Sequence, residues 1–80
     1  MPRVTLYTKP GCHLCEIVEQ VIQFVRTQRP FDFEQLNIEG DPAAFEKYQY
    51  EIPVICVNGR EIARHQLTAA ALERALDEAS

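Results

Sequence analysis

Hydrophobic and polar residues recur along the first third of the chain with two different periods, which predict a strand and then a helix. Residues 3–8 are rich in β-branched and aromatic side chains and are followed by a Pro-Gly dipeptide, as is typical of a buried strand that leads into a turn. The next apolar residues repeat with the period of an α-helix, so a helix is expected from about Cys12 to Gln28. Its apolar face comprises Ile17, Val18, Val21, Ile22, Phe24 and Val25.

The middle of the chain predicts a second strand and a short helix. Phe31 and Phe33 alternate with polar residues, but the apolar phase slips near Gln35, so the strand is expected to end or bulge there. A Gly-Asp-Pro sequence then supplies a turn, a helix N-cap and a proline for the first helical position, and this helix is expected to end near Tyr50. Phe45 is expected to join the two earlier phenylalanines in the core.

The last third predicts a hairpin and a final helix. Two β-rich runs flank Asn58-Gly59, which is the dipeptide that tight hairpins prefer. Thr68 can cap the helix that follows. The apolar face of that helix comprises Leu72, Ala75, Leu76 and Ala79. The order β-α-β-α-β-β-α predicts an α/β fold, in which a parallel, right-handed β-α-β unit and the hairpin form a four-stranded mixed sheet with helices on both faces.

Length, charge and the N-terminal sequence restrict the domain count and the partners. A chain of 80 residues can bury one core, so residues 1–80 are expected to form a single domain, and we expect it to act as a monomer. The net charge is −4 and the sequence contains no block of like charges, so neither nucleic acid nor a membrane surface is expected as a partner. The first residues form neither a signal peptide nor a membrane span, so a cytoplasmic location is expected.

Cys12 and Cys15 are separated by three positions, where the first strand has ended and the first helix is expected to begin. Free N–H groups and the positive end of the helix dipole favour a thiolate at Cys12, and such cysteines have a pKa of roughly 3.5–7.5 instead of about 8.5. Lys9 and His13 are candidate cations beside it. Cys15 is expected to lie one turn further along and inward, which suits exchange in which Cys12 attacks a disulfide and Cys15 resolves the mixed disulfide.

Other interpretations of these residues stay open. A zinc site needs about four ligands, whereas this chain has one C-x-x-C pair and two unpaired histidines, so no metal is expected. Cys56 lies in a β-rich run and is expected to be a small buried side chain. His13 could equally be a solvated side chain at the start of the helix, and Lys9 could be a plain surface charge. The whole chain could be a binding module, or its cysteines could carry an iron–sulfur cluster between two chains.

Several segments together resemble one known family. The sequence YTKPGCHLC at residues 7–15, a later Asp-Pro, Ile-Pro-Val and a Val-Asn-Gly hairpin resemble the short bacterial glutaredoxin-like proteins, which have the thioredoxin fold. The resemblance implies a thiol-disulfide oxidoreductase that acts on protein or small-molecule disulfides and is recycled by a thiol reductant or a reductase. It implies Cys12 as nucleophile, Cys15 as resolving thiol and Lys9 near the thiolate. Pro53 would be a cis proline facing the pair, and Ile52 would offer backbone hydrogen bonds to substrate.

The chain departs from related glutaredoxins at two places that concern glutathione. Before the last helix those proteins have a Gly-containing segment that ends in an acidic residue and grips glutathione, whereas residues 62–66 here read IARHQ. Leu14 replaces the aromatic residue that is usual between the cysteines. We therefore expect no cofactor and weak handling of glutathione, although glutathione could still serve as the reductant. Arg64 and His65 either contact substrate or belong to a polar surface loop.

Overall fold

The computed structural model describes residues 1–79 and contains the predicted order of elements. The strands are β1 (Arg3–Thr8), β2 (Asp32–Asn37), β3 (Val54–Val57) and β4 (Arg60–Arg64), and the helices are α1 (His13–Arg26), α2 (Pro42–Tyr48) and α3 (Ala69–Ala79). A short 3₁₀ turn, Ile38–Gly40, joins β2 to α2. None of the helices in the described part of the chain is both long and apolar enough to cross a membrane.

The four strands form one mixed sheet in the order β2-β1-β3-β4, which confirms the predicted fold class. β1 is parallel to β2 and antiparallel to β3, and β3 and β4 form the predicted hairpin. The hairpin turn has Asn58 and Gly59 at φ 52° and 83°, and such positive values are why this dipeptide suits the turn. β1 is an interior strand, so the residues after its carboxyl end lie between the ends of β2 and β3.

The predicted irregularity near Gln35 is wrong. β2 pairs with β1 without interruption, from Arg3 opposite Asp32 to Thr8 opposite Asn37. The apolar phase changes because Leu36 lies on the opposite face of β2 from Phe33, where it is 40% exposed, and the next buried apolar residue, Ile38, belongs to the 3₁₀ turn after the strand. The register of the sheet shifts instead between β3 and β4, after residue 55.

Alternating strand residues bury two clusters on opposite faces of the sheet. The larger cluster packs strand residues against α1 and α3 and includes Val4, Leu6, Ile22, Val25, Phe31, Ile55, Val57, Leu72 and Leu76. The smaller cluster packs against α2 and comprises Ile38, Ala44, Tyr48, Val54 and Cys56. Helices therefore cover both faces, as expected.

Some apolar residues that the sequence assigns to the core lie at the surface. α1 buries Cys15, Val18, Ile22 and Val25 along a narrow stripe, whereas Ile17 and Phe24 are 45% and 58% exposed. Phe45 is 37% exposed, because α2 is short and its buried residues are Ala44 and Tyr48. One small cluster is enough to anchor a helix of this length, so its remaining apolar residues stay in solvent.

Candidate active site

A tight turn connects β1 to α1 and positions the first cysteine. The backbone N–H of Cys12 donates to the carbonyl of Lys9 at 3.3 Å, with Pro10 and Gly11 between them. Gly11 has φ +80°, and a proline followed by a residue with positive φ is the sequence of a type II turn. The Pro-Gly dipeptide thus fixes the point at which the chain enters the helix.

Cys12 is the N-cap of α1 and its sulfur acts as the capping group. Sγ of Cys12 accepts a hydrogen bond from the backbone N–H of Cys15 at 3.2 Å, in the position that a serine or aspartate side chain takes in an ordinary helix cap. The two cysteines form a disulfide, with their Cα atoms 5.2 Å apart. Sγ of Cys12 thus lies beside the free N–H groups and the positive end of the dipole of α1.

The two sulfur-bearing residues differ in their access to solvent. Both cysteines line the same surface cavity, but Cys15 is 2% exposed on the inner stripe of α1, whereas Cys12 is only partly buried. A substrate can therefore reach Cys12 far more easily than Cys15.

The candidate cations lie in different surroundings. The exposed Lys9 side chain lines the same cavity as Cys12, and its ammonium group forms no ion pair with any other residue in the range 1–79. His13 is directed toward Glu16, with Nδ1 3.6 Å from Oε2, and its side chain is 82% exposed. Lys9 is therefore available to an incoming group beside Cys12, while His13 has a carboxylate next to it.

The Ile52-Pro53 peptide bond is cis, and Pro53 is fully buried. Because Val54 pairs with Tyr7, Pro53 lies beside the carboxyl end of β1, at the sheet edge from which the Lys9–Cys12 turn departs. The carbonyl of Pro53 accepts a hydrogen bond from the backbone N–H of His65 at 2.7 Å. This bond brings the segment after β4 next to the proline.

Arg64 and His65 belong to a four-residue ion cluster beside Pro53. Oε2 of Glu51 lies 3.0 Å from Nε2 of His65 and 3.6 Å from Nη1 of Arg64, and Arg64 is also bonded to Glu61. The Arg64 hydrogen bond lowers the pKa of the Glu61 carboxyl, and the same bond raises the pKa of the guanidinium. The two basic side chains therefore lie beside two carboxylates, and Glu51 was not among the residues that the sequence singled out.

A cavity of about 500 Å³ adjoins the disulfide. It is lined by Thr8, Lys9, Pro10, Gly11, Cys12, Cys15, Glu16, Glu19, Gln35 and Asn37. The sequence analysis placed the cysteines and Lys9 together but missed the polar residues of α1 and β2. Helical spacing from Cys12 to Glu16 and Glu19 was a usable signal, because residues three and four apart share a face. The β2 residues gave no signal before the strand pairing was known.

Cys56 is the free cysteine of the described chain and is 5% exposed, which confirms that it is a small buried side chain. Burial raises the pKa of its thiol, and Glu61 raises it further. Cys56 is therefore protonated and inaccessible at neutral pH. Within residues 1–79 no three potential ligands from His, Cys, Asp and Glu come together as a metal site.

The chain is similar to known proteins over most of its length. A glutaredoxin-like protein of Dictyostelium discoideum is 27% identical over an alignment 71 residues long, which covers 80% of this chain and 65% of that protein. A protein of X. campestris with a solved X-ray structure is 29% identical to this chain. The two structures superpose with a TM-score of 0.79 over 96% of this chain and 99% of that one. Thioredoxin 1 of Thermosipho africanus shares the fold, with a TM-score of 0.63 at 17% identity over 96% and 97% of the two chains.

The sequence also matches the model of a protein family. Residues 3–77 match the Glutaredoxin-like domain (DUF836), a span that includes the turn, both cysteines of the disulfide, the cis proline and the hairpin. The matched part begins with β1 and ends inside α3, so it comprises the complete sheet. On this match and on the thioredoxin-like fold, the chain belongs to the glutaredoxin-like family.

Proposed function

We propose that the protein is a thiol-disulfide oxidoreductase that reduces disulfides of proteins or small molecules. The observation that carries this proposal is the pairing of an accessible sulfur at a helix N-terminus with a shielded one. Sγ of Cys12 accepts a hydrogen bond from the backbone N–H of Cys15, and Cys12 is only partly buried, whereas Cys15 is 2% exposed. That asymmetry separates an attacking thiol from a resolving thiol, which a purely structural disulfide does not need.

The reaction begins with the reduced protein. The Cys12 thiolate attacks one sulfur of the substrate disulfide, whose S–S bond breaks, so a mixed disulfide forms and one substrate thiolate leaves and takes up a proton. Cys15 then loses its proton and attacks Sγ of Cys12, which releases the second substrate thiolate and closes the Cys12–Cys15 disulfide. Two electrons have passed to the substrate. A thiol reductant or a reductase then supplies two electrons to the Cys12–Cys15 disulfide and restores the dithiol, so no bound cofactor is required.

Glutathione is proposed to be a poor substrate and a weak reductant for this protein. In related glutaredoxins the segment before the last helix holds glutathione with an acidic residue. Here Arg64 occupies that segment and is bound to Glu51 and Glu61, so the nearby carboxylates are already paired. The α-amino group of glutathione would have to compete with this guanidinium for a carboxylate.

We also propose that the reaction takes place in the cytoplasm. Cys56 is a buried free thiol, and free thiols are typical of proteins in a compartment that keeps cysteines reduced. There the dithiol form of the active-site pair is regenerated by the reductants of that compartment.

Trapping with a resolving-cysteine variant tests the proposed function. Cys15→Ser is expected to accumulate mixed disulfides through Cys12, because the step that releases the substrate is removed. The variant, reduced and mixed with cell extract, is analysed on non-reducing gels and by mass spectrometry, with Cys12→Ser in the Cys15→Ser background as the matched control. Adducts that disappear in the control support the proposal. Absence of adducts while Cys12 still reacts with an alkylating agent would contradict it, and a coloured dimer would instead favour the cluster carrier.

A further inference from the structure

The cavity beside the disulfide lies on the β2 side of β1, whereas Pro53 lies on the β3 side. The cavity therefore extends away from the edge where the cis proline and the ion cluster meet. It stands at the carboxyl ends of two parallel strands, which is where ligands commonly bind in α/β sheets. A substrate held along the proline side leaves this space free for a further part of the same molecule.

The strand residues that face α1 change from apolar to polar at this edge. On β1, the buried Leu6 is followed on the same side by Thr8, and on β2, Phe33 is followed by Gln35 and Asn37. Phe33 packs against the core, while the two amides line the cavity. The space between the strand ends and α1 is therefore polar, which suits a charged or hydrogen-bonding group.

α1 supplies two carboxylates to the cavity. Glu16 and Glu19 lie three residues apart, and both face the cavity beyond Cys12. Glu19 is partly buried, yet its carboxylate forms no hydrogen bond or ion pair with another residue of the described range. Lys9 is the cationic side chain of the lining, so the two carboxylates leave it with an excess of negative charge.

We propose that this cavity is a substrate subsite that receives a lysine or arginine side chain near the cysteine under attack. The inference rests on the proposed function and adds the class of substrate that it prefers, namely protein disulfides with a basic flank. A guanidinium can bind the unpaired Glu19 carboxylate with two hydrogen bonds, and the amide oxygen of Gln35 can accept another. At about 500 Å³ the cavity is large enough for such a side chain and part of its backbone.

Peptide substrates with and without the positive charge test the subsite. Synthetic peptides contain one intramolecular disulfide and a single arginine at each of several positions around the cysteines, and each has a twin with citrulline, which is neutral and similar in shape. The readout is the second-order rate constant for oxidation of the reduced full chain. At the best position the arginine peptide is expected to react about fivefold faster than its twin, and this ratio should fall at high salt.

Variants locate the preference within the protein. Glu19→Gln keeps the shape of the side chain and is expected to bring the arginine-to-citrulline ratio close to one, while Glu19→Lys should reverse it. Glu46→Gln is the matched control, because it removes the same charge from an exposed position on α2, on the opposite face of the sheet. It should leave the ratio unchanged. The salt dependence of the unmodified chain gives a second test that requires no variant.

The possible failures are distinguishable. If no arginine position changes the rate while the citrulline peptides are still reduced, the subsite is refuted and the proposed function stands. An equal loss of preference in Glu46→Gln and Glu19→Gln would also refute it, because the effect would then follow the overall charge. If the reduced chain reacts with no peptide disulfide and Cys15→Ser traps no protein, the proposed function itself fails, and the subsite fails with it.

Discussion

Replacing Arg64 with alanine is expected to improve the reduction of glutathione mixed disulfides. The guanidinium is bonded to Glu61 and lies 3.6 Å from Glu51, beside the segment that carries Pro53. Its removal leaves two carboxylates without this partner at the place where glutathione is held in related glutaredoxins. The α-amino group of glutathione can then pair with one of them.

The size of the gain follows from the exposure of the cluster. A charge-assisted contact in a closed site changes affinity by roughly ten- to a hundredfold. The side chains of Arg64 and Glu51 are 44% and 35% exposed, so water and salt screen the contact. We therefore expect a gain of about fivefold in kcat/KM for a glutathione mixed disulfide.

The assay measures reduction of a glutathione mixed disulfide and of a protein disulfide with the same reductant, and the ratio of the two rates is the result. Arg60→Ala is the matched control, because Arg60 is on the same strand, is 73% exposed and pairs with Glu78 at 3.6 Å. An unchanged ratio in Arg64→Ala, or the same rise in Arg60→Ala, would refute the reasoning. A wild-type chain as active on glutathione as an ordinary dithiol glutaredoxin would contradict its premise.

Three further predictions concern the candidate active site and the fold. Alkylation of the reduced chain at mildly acidic pH should label Cys12 before Cys15, and Cys56 last, as mass spectrometry of peptides can show; equal labelling would contradict the assigned roles. Burial raises the pKa of the Cys56 thiol, so the folded state holds this proton more tightly than the unfolded chain and loses stability as the pH rises through the alkaline range. Cys56→Ala should therefore lose less unfolding free energy than the wild type between about pH 8 and about pH 10. Asp41→Ala removes the oxygen that accepts two backbone N–H groups of α2 and should cost about 1 kcal/mol in chemical denaturation, whereas Asp32→Ala on an exposed strand position should cost less.

Local signals predicted most of the fold because the relevant interactions span only a few residues. The Pro-Gly turn, the Asp41 cap and the Asn58-Gly59 hairpin each form hydrogen bonds or special φ values within a short segment, and each is present in the structure. Periodicity was less reliable where it had to decide burial. Phe24 follows the helical pattern of α1 but remains exposed, because a helix packed on one side buries a stripe narrower than its apolar face.

The sequence by itself determined the elements, their order and the cysteine pair at the start of a helix, since these depend on neighbours along the chain. Only the tertiary structure decided what surrounds that pair. Gln35 reaches the cavity through the register of β2 with β1, and Glu51 meets Arg64 because the chain returns through β3 and β4. Contacts of this kind depend on strand register and on helix packing between distant segments, and no short stretch of sequence encodes either.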